Sequence, residues 1–350
     1  METLEVVIDG RKIGPEHPPY VIAELSGNHN GDIERAIELM VCAKDVGADA
    51  VKLQTYTPDT MTIDCDSALF LIKEGLWAGR KLHELYQEAQ TPWKWHEALF
   101  QKARELGITI FSTPFDSTAV DFLAELGAPA FKIASFEATD TALIAAAARV
   151  GKPMIVSTGM ANLAEISEAV STIRDQNNAA IVLLHCVSAY PAPADDSNLR
   201  TISHLGETFS VVPGLSDHTL GTSASVAAVG LGACVIEKHV TLRRSDGGPD
   251  AAFSLEPSEL QSLVEQVHEV WRAVGTVDYD RKPSESQMAT FRRSVFVVED
   301  VSEGEVFTAK NVRCIRPSYG LAPKHLPDVL GRRASRAIAR GTPMDWSLVG

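Results

Sequence analysis

Two histidines pose the first chemical question. His218 follows "VVPGLSD" and His239 lies in "CVIEKHV". Each stands one alternation step past a polar residue, Ser216 and Glu237, on one face of a short β-rich run. Imidazoles on neighbouring strand ends suit a divalent metal with positions left open for water and substrate. Taken singly, each could equally be a hydrogen-bonded core histidine. Lys52 and Gln54 share a face of "AVKLQT", and Glu24 and Lys132 stand in two further apolar runs. A buried lysine or carboxylate is costly unless paired. These charges therefore either pair internally, as Lys52–Glu24 and Lys132–Glu237, or face a polar cavity. Hydroxyls at Thr113, Ser135 and Ser216 join the two lysines in a cradle for a phosphate or a phosphorylated acid. No P-loop or G-x-G-x-x-G pattern is present, which argues against a nucleotide. "SDGGPD" (245–250) reads either as a plain turn or as a loop delivering Asp246 or Asp250 to substrate. His185 has the opposite parity to Ser188 and Tyr190 and is expected to pack against helices.

Holding such a set in place requires repeated elements, and the sequence has them. From residue 20 to about 272 a short β-rich apolar run, a loop and an amphipathic helical stretch recur. The eight runs are "YVIAEL", "AVKLQT", "ITIFST", "AFKIAS", "PMIVST", "AIVLLHC", "VVPGLSD" and "CVIEKHV". Helical patterns such as "WHEALFQKARELG" and "STAVDFLAELG" alternate with them and close on the glycine expected just past a helix terminus. Eight βα units in series predict an α/β fold, a closed (β/α)8 TIM barrel with its active site at the strand C-termini. An open doubly wound sheet is the alternative. The charged residues and histidines above fall at or near those C-termini.

Before the barrel, "VVIDGRKIG" (6–14) predicts a hairpin with an Asp-Gly turn lying over the barrel floor. Residues 1–275 are thus expected to form hairpin plus barrel, 276–290 a polar linker, and 291–350 a small β-rich domain with pieces "SVFVVEDV", "NVRCIRP" and "SRAIARGTPM". The 350 residues are 45% hydrophobic and 22% charged, enough apolar surface for a real core. A formal charge of −14 argues against binding nucleic acid or an anionic membrane, so an anionic substrate would need a local positive pocket. Five scattered cysteines without C-x-x-C spacing read as free thiols of a reducing compartment. The N-terminus lacks the pattern of a signal peptide, and nowhere do 18 apolar residues run together; a cytoplasmic protein is expected.

At this point the chain resembles a known family, the phosphoenolpyruvate-dependent sialic-acid (nonulosonate) synthases. The resemblance is carried by "VIAELSGNHNGD", "GADAVKLQTY", "FSTPFD", "FKIASFE", "STGMA", "SDHT", "EKHVT", "GPDAAFSLEP" and "KPSES". The tail, with "EGEVFTAKNVRCIRP" and "RASRAIARGTPM", is similar to that family's SAF domain, an antifreeze-like β-clip. Within the family, "LWAGRKLHELYQEAQTPWKWHEALF" and "HCVSAYPAP" look most like the pseudaminic branch, and Ser188 stands where members making N-acetylneuraminate usually carry asparagine. The resemblance implies that C3 of phosphoenolpyruvate adds to the aldehyde of an open-chain acetamido sugar and that phosphate leaves through C–O cleavage. It implies His218 and His239 as ligands of Mn²⁺, with Mg²⁺ or Co²⁺ as substitutes. It also implies that Lys52, Thr113, Lys132, Ser135, Ser188 and Ser216 bind phosphoenolpyruvate, that Glu24, Gln54, Tyr190 and Asp250 handle sugar or protons, and that Glu137 contacts the same region. Arg316 of "IRP" aligns with an arginine that the family sends into the partner subunit's active site, which implies a domain-swapped homodimer. Ala251, after the Asp of "GPD", departs from members with histidine there. Two other classes stay open: a catalytically silent sugar- or ice-binding protein, suggested by the tail, and a phosphoenolpyruvate-free aldolase with a Schiff base on Lys132.

Overall fold

A computed structural model describes residues 4–350, which fall into two compact units divided between Gly275 and Thr276. The first opens with a hairpin, β1 (Val6–Ile8) and β2 (Arg11–Ile13), paired antiparallel from Val6↔Ile13 to Ile8↔Arg11. Its turn residues Asp9 and Gly10 have φ of 49° and 78°. Only Asp, Asn and Gly tolerate that left-handed region readily, which is why "DG" marks the turn. Eight parallel strands follow: β3 (Tyr20–Glu24), β4 (Ala50–Thr55), β5 (Thr109–Pro114), β6 (Phe131–Ile133), β7 (Met154–Ser157), β8 (Ile181–Cys186), β9 (Val212–Asp217) and β10 (Val235–His239). β10 pairs with β3, Val235↔Tyr20 to His239↔Glu24, so the sheet closes into a TIM barrel and the open-sheet alternative falls.

Strand alternation splits the lumen into an apolar floor and a polar ceiling. The lower layer holds Tyr20, Ile22, Ala50, Phe111, Ala130, Ile155, Val182, Val212 and Val235, and Val6, Ile8 and Ile13 of the hairpin join the same cluster, plugging the N-terminal end. One or two steps up the same strands the inward residues become Glu24, Lys52, Thr113, Lys132, Ser157, Ser216 and Glu237, all buried. Odd-parity neighbours such as Val21, Val51 and Leu183 face outward against the helices. The long helix Pro257–Val274 shows why those helices form: it buries Leu260, Leu263, Val264 and Val267, one stripe at helical spacing, behind a proline in its first turn. Among the described residues no helix is long and apolar enough to cross a membrane.

In the second unit β11 (Ser294–Val297) and β12 (Val312–Ile315) pair antiparallel over a core that includes Val295, Val297, Phe307, Val312, Ile338 and Met344. The third expected β piece, "SRAIARGTPM", makes only single bridges, Val301↔Ile338 and Phe296↔Pro343. Gly341 at φ 87° turns the chain there and Pro343 has no N–H for a ladder. Residues 276–290 contain one short 3-10 turn, Pro283–Glu285, and the start of another, Met288–Phe291.

Candidate active site

Glu237 is the hub of the polar layer. Its Oε1 accepts from Ser216 Oγ at 3.0 Å and from Lys132 Nζ at 3.3 Å, and lies 3.4 Å from Lys52 Nζ. Lys52 in turn pairs with Glu24 Oε2 at 2.7 Å and donates to Thr113 Oγ1 at 3.2 Å. Glu24 Oε1 accepts from Gln54 Nε2 at 2.9 Å and from the Ser26 backbone N–H at 3.1 Å. Both internal ion pairs read from the sequence are therefore present, and a cross-link between them, Lys52–Glu237, is added. Burial opposes ionisation of Glu237, yet Lys132 and Lys52 overcome it and bring its carboxyl to about 2. Two cations and two carboxylates thus balance at the lumen's upper layer, and Glu237 Oε2 still has no hydrogen-bond partner.

Above this layer stand the histidines, ring centroids 5.3 Å apart. His218 Nδ1 is engaged by the Val187 carbonyl at 3.0 Å, the backbone bond that commonly orients a metal-binding imidazole and frees its other nitrogen. Burial lowers the basicity of His218, but its contact with Cys186 Sγ, 3.7 Å from Nδ1, reverses the balance upward. Burial, and then the positive charges of His218, Lys52, Lys238 and Lys132, hold His239 well below the ordinary histidine range, so it is a neutral lone-pair donor. Its Nδ1 is buried without a hydrogen-bond partner, 4.0 Å from Asp250 Oδ2. Among the described residues no three His, Cys, Asp or Glu side chains converge on one point. Two nitrogen donors side by side fit a divalent ion whose remaining positions fall to water and substrate.

On the β6–β8 side the hydroxyls gather round a glycine. The Gly159 N–H donates to Ser135 Oγ at 3.1 Å, and a Cβ on Gly159 would lie 2.3 Å from Ser188 Oγ and 2.8 Å from Ser135 Oγ. Only glycine lets these hydroxyls close on the backbone, a feature that strand patterning did not single out. Beside them, burial raises the Glu137 carboxyl to about 7, and burial likewise raises Asp250 to about 6. Carboxyls titrating that close to neutrality suit proton transfer. Tyr190 stacks obliquely 4.5 Å from the His218 ring and 5.3 Å from Phe253, and Trp77 lies 5.5 Å beyond it. The Trp77 Nε1–H is tied to the Pro249 carbonyl at 2.8 Å. Trp77 and Phe253 were not among the residues singled out from the sequence, although Trp77 belongs to the stretch carrying the pseudaminic resemblance.

Three other residues go elsewhere. Asp246 pairs outside with Arg35 at 2.8 Å and Arg243 at 3.3 Å, so of the two carboxylates in "SDGGPD" only Asp250 is near the histidines. His185 bonds the Ser197 carbonyl at 2.6 Å. Arg316 is an exposed residue of the second unit, next after β12.

Residues 39–279 match the NeuB family, and residues 292–349 match the SAF domain. The chain belongs to the NeuB family. Pseudaminic acid synthase of Helicobacter pylori is 44% identical to it over 93% of this chain and 96% of its own length. N,N'-diacetyllegionaminic acid synthase of Legionella pneumophila is 36% identical over 93% of each. A crystal structure of N-acetylneuraminic acid (sialic acid) synthetase from Leptospira borgpetersenii, in complex with citrate, matches with a TM-score of 0.74 at 32% identity, covering 82% of this chain and 95% of that one. The NeuB span takes in β4 to β10, and with them both lysines, Glu237 and both histidines; Glu24 lies upstream of it.

Proposed function

We propose that this NeuB-family chain is a pseudaminic acid synthase, condensing phosphoenolpyruvate with 2,4-diacetamido-2,4,6-trideoxy-L-altrose to give pseudaminic acid and phosphate. The observation that carries the chemistry is the stacking of two functions along one lumen: a two-lysine layer, suited to an anionic acid, directly below a pair of imidazoles. The sugar is supported by the relatives, the pseudaminic one being more similar than the legionaminic one over the same share of the chain.

Lys52 and Lys132 meet the carboxylate and phosphate of phosphoenolpyruvate, while Thr113, Ser135 and Ser188 donate hydrogen bonds to their oxygens, joined by Ser216 once its hydroxyl turns from Glu237. Glu24 and Glu237 keep the lysines charged and in place. C3 of phosphoenolpyruvate then bonds to the aldehyde carbon, whose oxygen takes a proton. Water adds at C2, and phosphate departs with its bridging oxygen, leaving the C2 ketone. In this reading Glu137 and Asp250 take and return those protons, and Gln54 and Tyr190 bind the sugar. Metal dependence is general in the family. A divalent ion on His218 and His239, Mn²⁺ first and Mg²⁺ or Co²⁺ as substitutes, would act as a Lewis acid on the aldehyde oxygen.

A homodimer in which Arg316 serves the active site of a second copy completes the proposal. Arg316 shares a groove of about 840 Å³ with Arg281, Arg292 and Arg293, and no acidic residue lines it. Phe136, Met160, Leu163 and Leu220, from the turns and the helix start that follow strand C-termini, are exposed, which supports a covering partner. The five cysteines are free, in keeping with a reducing cytoplasm.

Phosphate release with the altrose derivative, N-acetylmannosamine and 2,4-diacetamido-2,4,6-trideoxy-mannose tests the sugar. The altrose derivative should give the highest kcat/KM. Unpaired polar groups meant for its C4 amide should reject N-acetylmannosamine by about 10⁴-fold. A higher value for either mannose-configured sugar assigns the chain to legionaminate or N-acetylneuraminate synthesis instead.

A further inference from the structure

Behind the two histidines, on the outer face of the barrel, lies a buried ion pair that the chemistry above leaves unused. Asp217 and Lys238 are register partners on β9 and β10, and each immediately precedes one of the histidines. Their side chains are 1% and 0% exposed, with Nζ and Oδ2 2.9 Å apart. Every remaining bond of the pair is made to the loop or helix that follows β9. Asp217 Oδ2 accepts from Ser225 Oγ at 2.6 Å, and Oδ1 accepts from the Thr219 N–H at 2.8 Å. Lys238 Nζ donates to the Thr219 carbonyl. The two peptide groups following His218 are therefore tethered, one to each member of the pair.

A buried ion pair is seldom more stabilising than apolar residues of the same volume, and its best-attested use is to fix register. Here the register in question is that of β9 and β10, on which the residues directly after the pair are His218 and His239. We infer that Asp217–Lys238 is a positioning pair, locking β9 to β10 and the backbone after His218 so that both imidazoles face one ion. The inference rests on the metal role proposed for the histidines. Residues that orient metal ligands typically contribute 10–100-fold to metal affinity, and that is the size of effect expected.

Mn²⁺ binding to the purified full chain, read from the electron paramagnetic resonance of free Mn²⁺, tests it. Asp217→Asn/Lys238→Met removes both charges together, so neither is left buried alone. It should weaken Mn²⁺ binding about 10–100-fold, while phosphoenolpyruvate affinity at saturating Mn²⁺, governed from the inner face, stays within about twofold. Ser225→Ala, a milder change that keeps the pair, should weaken Mn²⁺ binding severalfold and provides the test if the double variant does not fold. Mn²⁺ affinity within threefold of the parent in a folded double variant, or unchanged in Ser225→Ala when that is the only folded one, overturns the positioning role. Should the parent bind Mn²⁺ no better than His218→Ala/His239→Ala, it is the metal reading of the histidines that fails.

Discussion

Lys132 and Lys52 share the Glu237 carboxylate but do not share its effect equally. Burial pushes the Lys132 ammonium down, and Glu237 only partly restores it against the nearby charge of Lys52, so the net is below the ordinary lysine value. Lys52 suffers the same burial, but Glu237 and then Glu24 more than offset it, and its net is upward. As pH rises, Lys132 is therefore the first of the two to lose its proton, and the proposed anion site loses a charge. In wild-type enzyme kcat/KM for phosphoenolpyruvate should fall on the alkaline side below the ordinary lysine pKa of about 10.4. Lys132→Arg, which stays charged throughout, should flatten that limb in whatever activity remains. An alkaline limb that survives the arginine substitution would transfer the titration to another group. Strand alternation was enough to identify these charges and to offer Lys52–Glu24 and Lys132–Glu237 pairing as one of two readings, the other being a polar cavity. That Glu237 also reaches Lys52 was not readable, because which inward residues meet across a lumen depends on strand tilt and shear, not on parity.

The connector after β4 is the element on which sugar selection should depend. It carries Trp77, whose indole is held against Tyr190 by its bond to the Pro249 carbonyl, so an apolar wall continues outward from His218. An open-chain six-carbon sugar with its aldehyde near the histidines extends roughly 6 Å along five carbon–carbon bonds of about 1.5 Å. Its deoxy end would meet that wall. Trp77→Ala should raise KM for the sugar about tenfold, equivalent to roughly 1–2 kcal/mol of lost apolar contact. KM for phosphoenolpyruvate should move less than about twofold, since its proposed seat is the lysine layer. Equal rises in both constants would mean that the loop supports the barrel generally. All eight strands were legible because each is a short apolar run bounded by turn residues. The connector was not, since residues 62–81 hold almost no regular structure and their order comes from contacts with distant loops such as Pro249. The tail's third piece is β-like but broken by glycine and proline, and with Gly341 and Pro343 in it only single bridges form rather than a ladder.

Across the whole chain the charge is unevenly spread. Residues 1–275 carry 20 Lys and Arg against 37 Asp and Glu, whereas residues 276–350 carry 12 against 9. The strongly acidic barrel unit needs its own lysines to hold an anion, and the tail gathers four arginines in one groove. Such opposed fields favour approach between copies, an attraction that falls off over about 8 Å at physiological salt. The proposed dimer therefore makes a sharp demand on Arg316. If it acts on the second copy's sugar, Arg316→Ala should lose about 2–5 kcal/mol of transition-state stabilisation, as expected for a buried interfacial charge contact. His239→Ala should be inactive through its own barrel, while its tail remains intact. A heterodimer of the two variants then has one site with both a complete histidine pair and a donated Arg316. Subunit exchange between the two inactive proteins should restore up to about half the wild-type activity per heterodimer, one competent site in two. Heterodimers proven by mass spectrometry that recover no activity would place Arg316 in the service of its own chain, or of none.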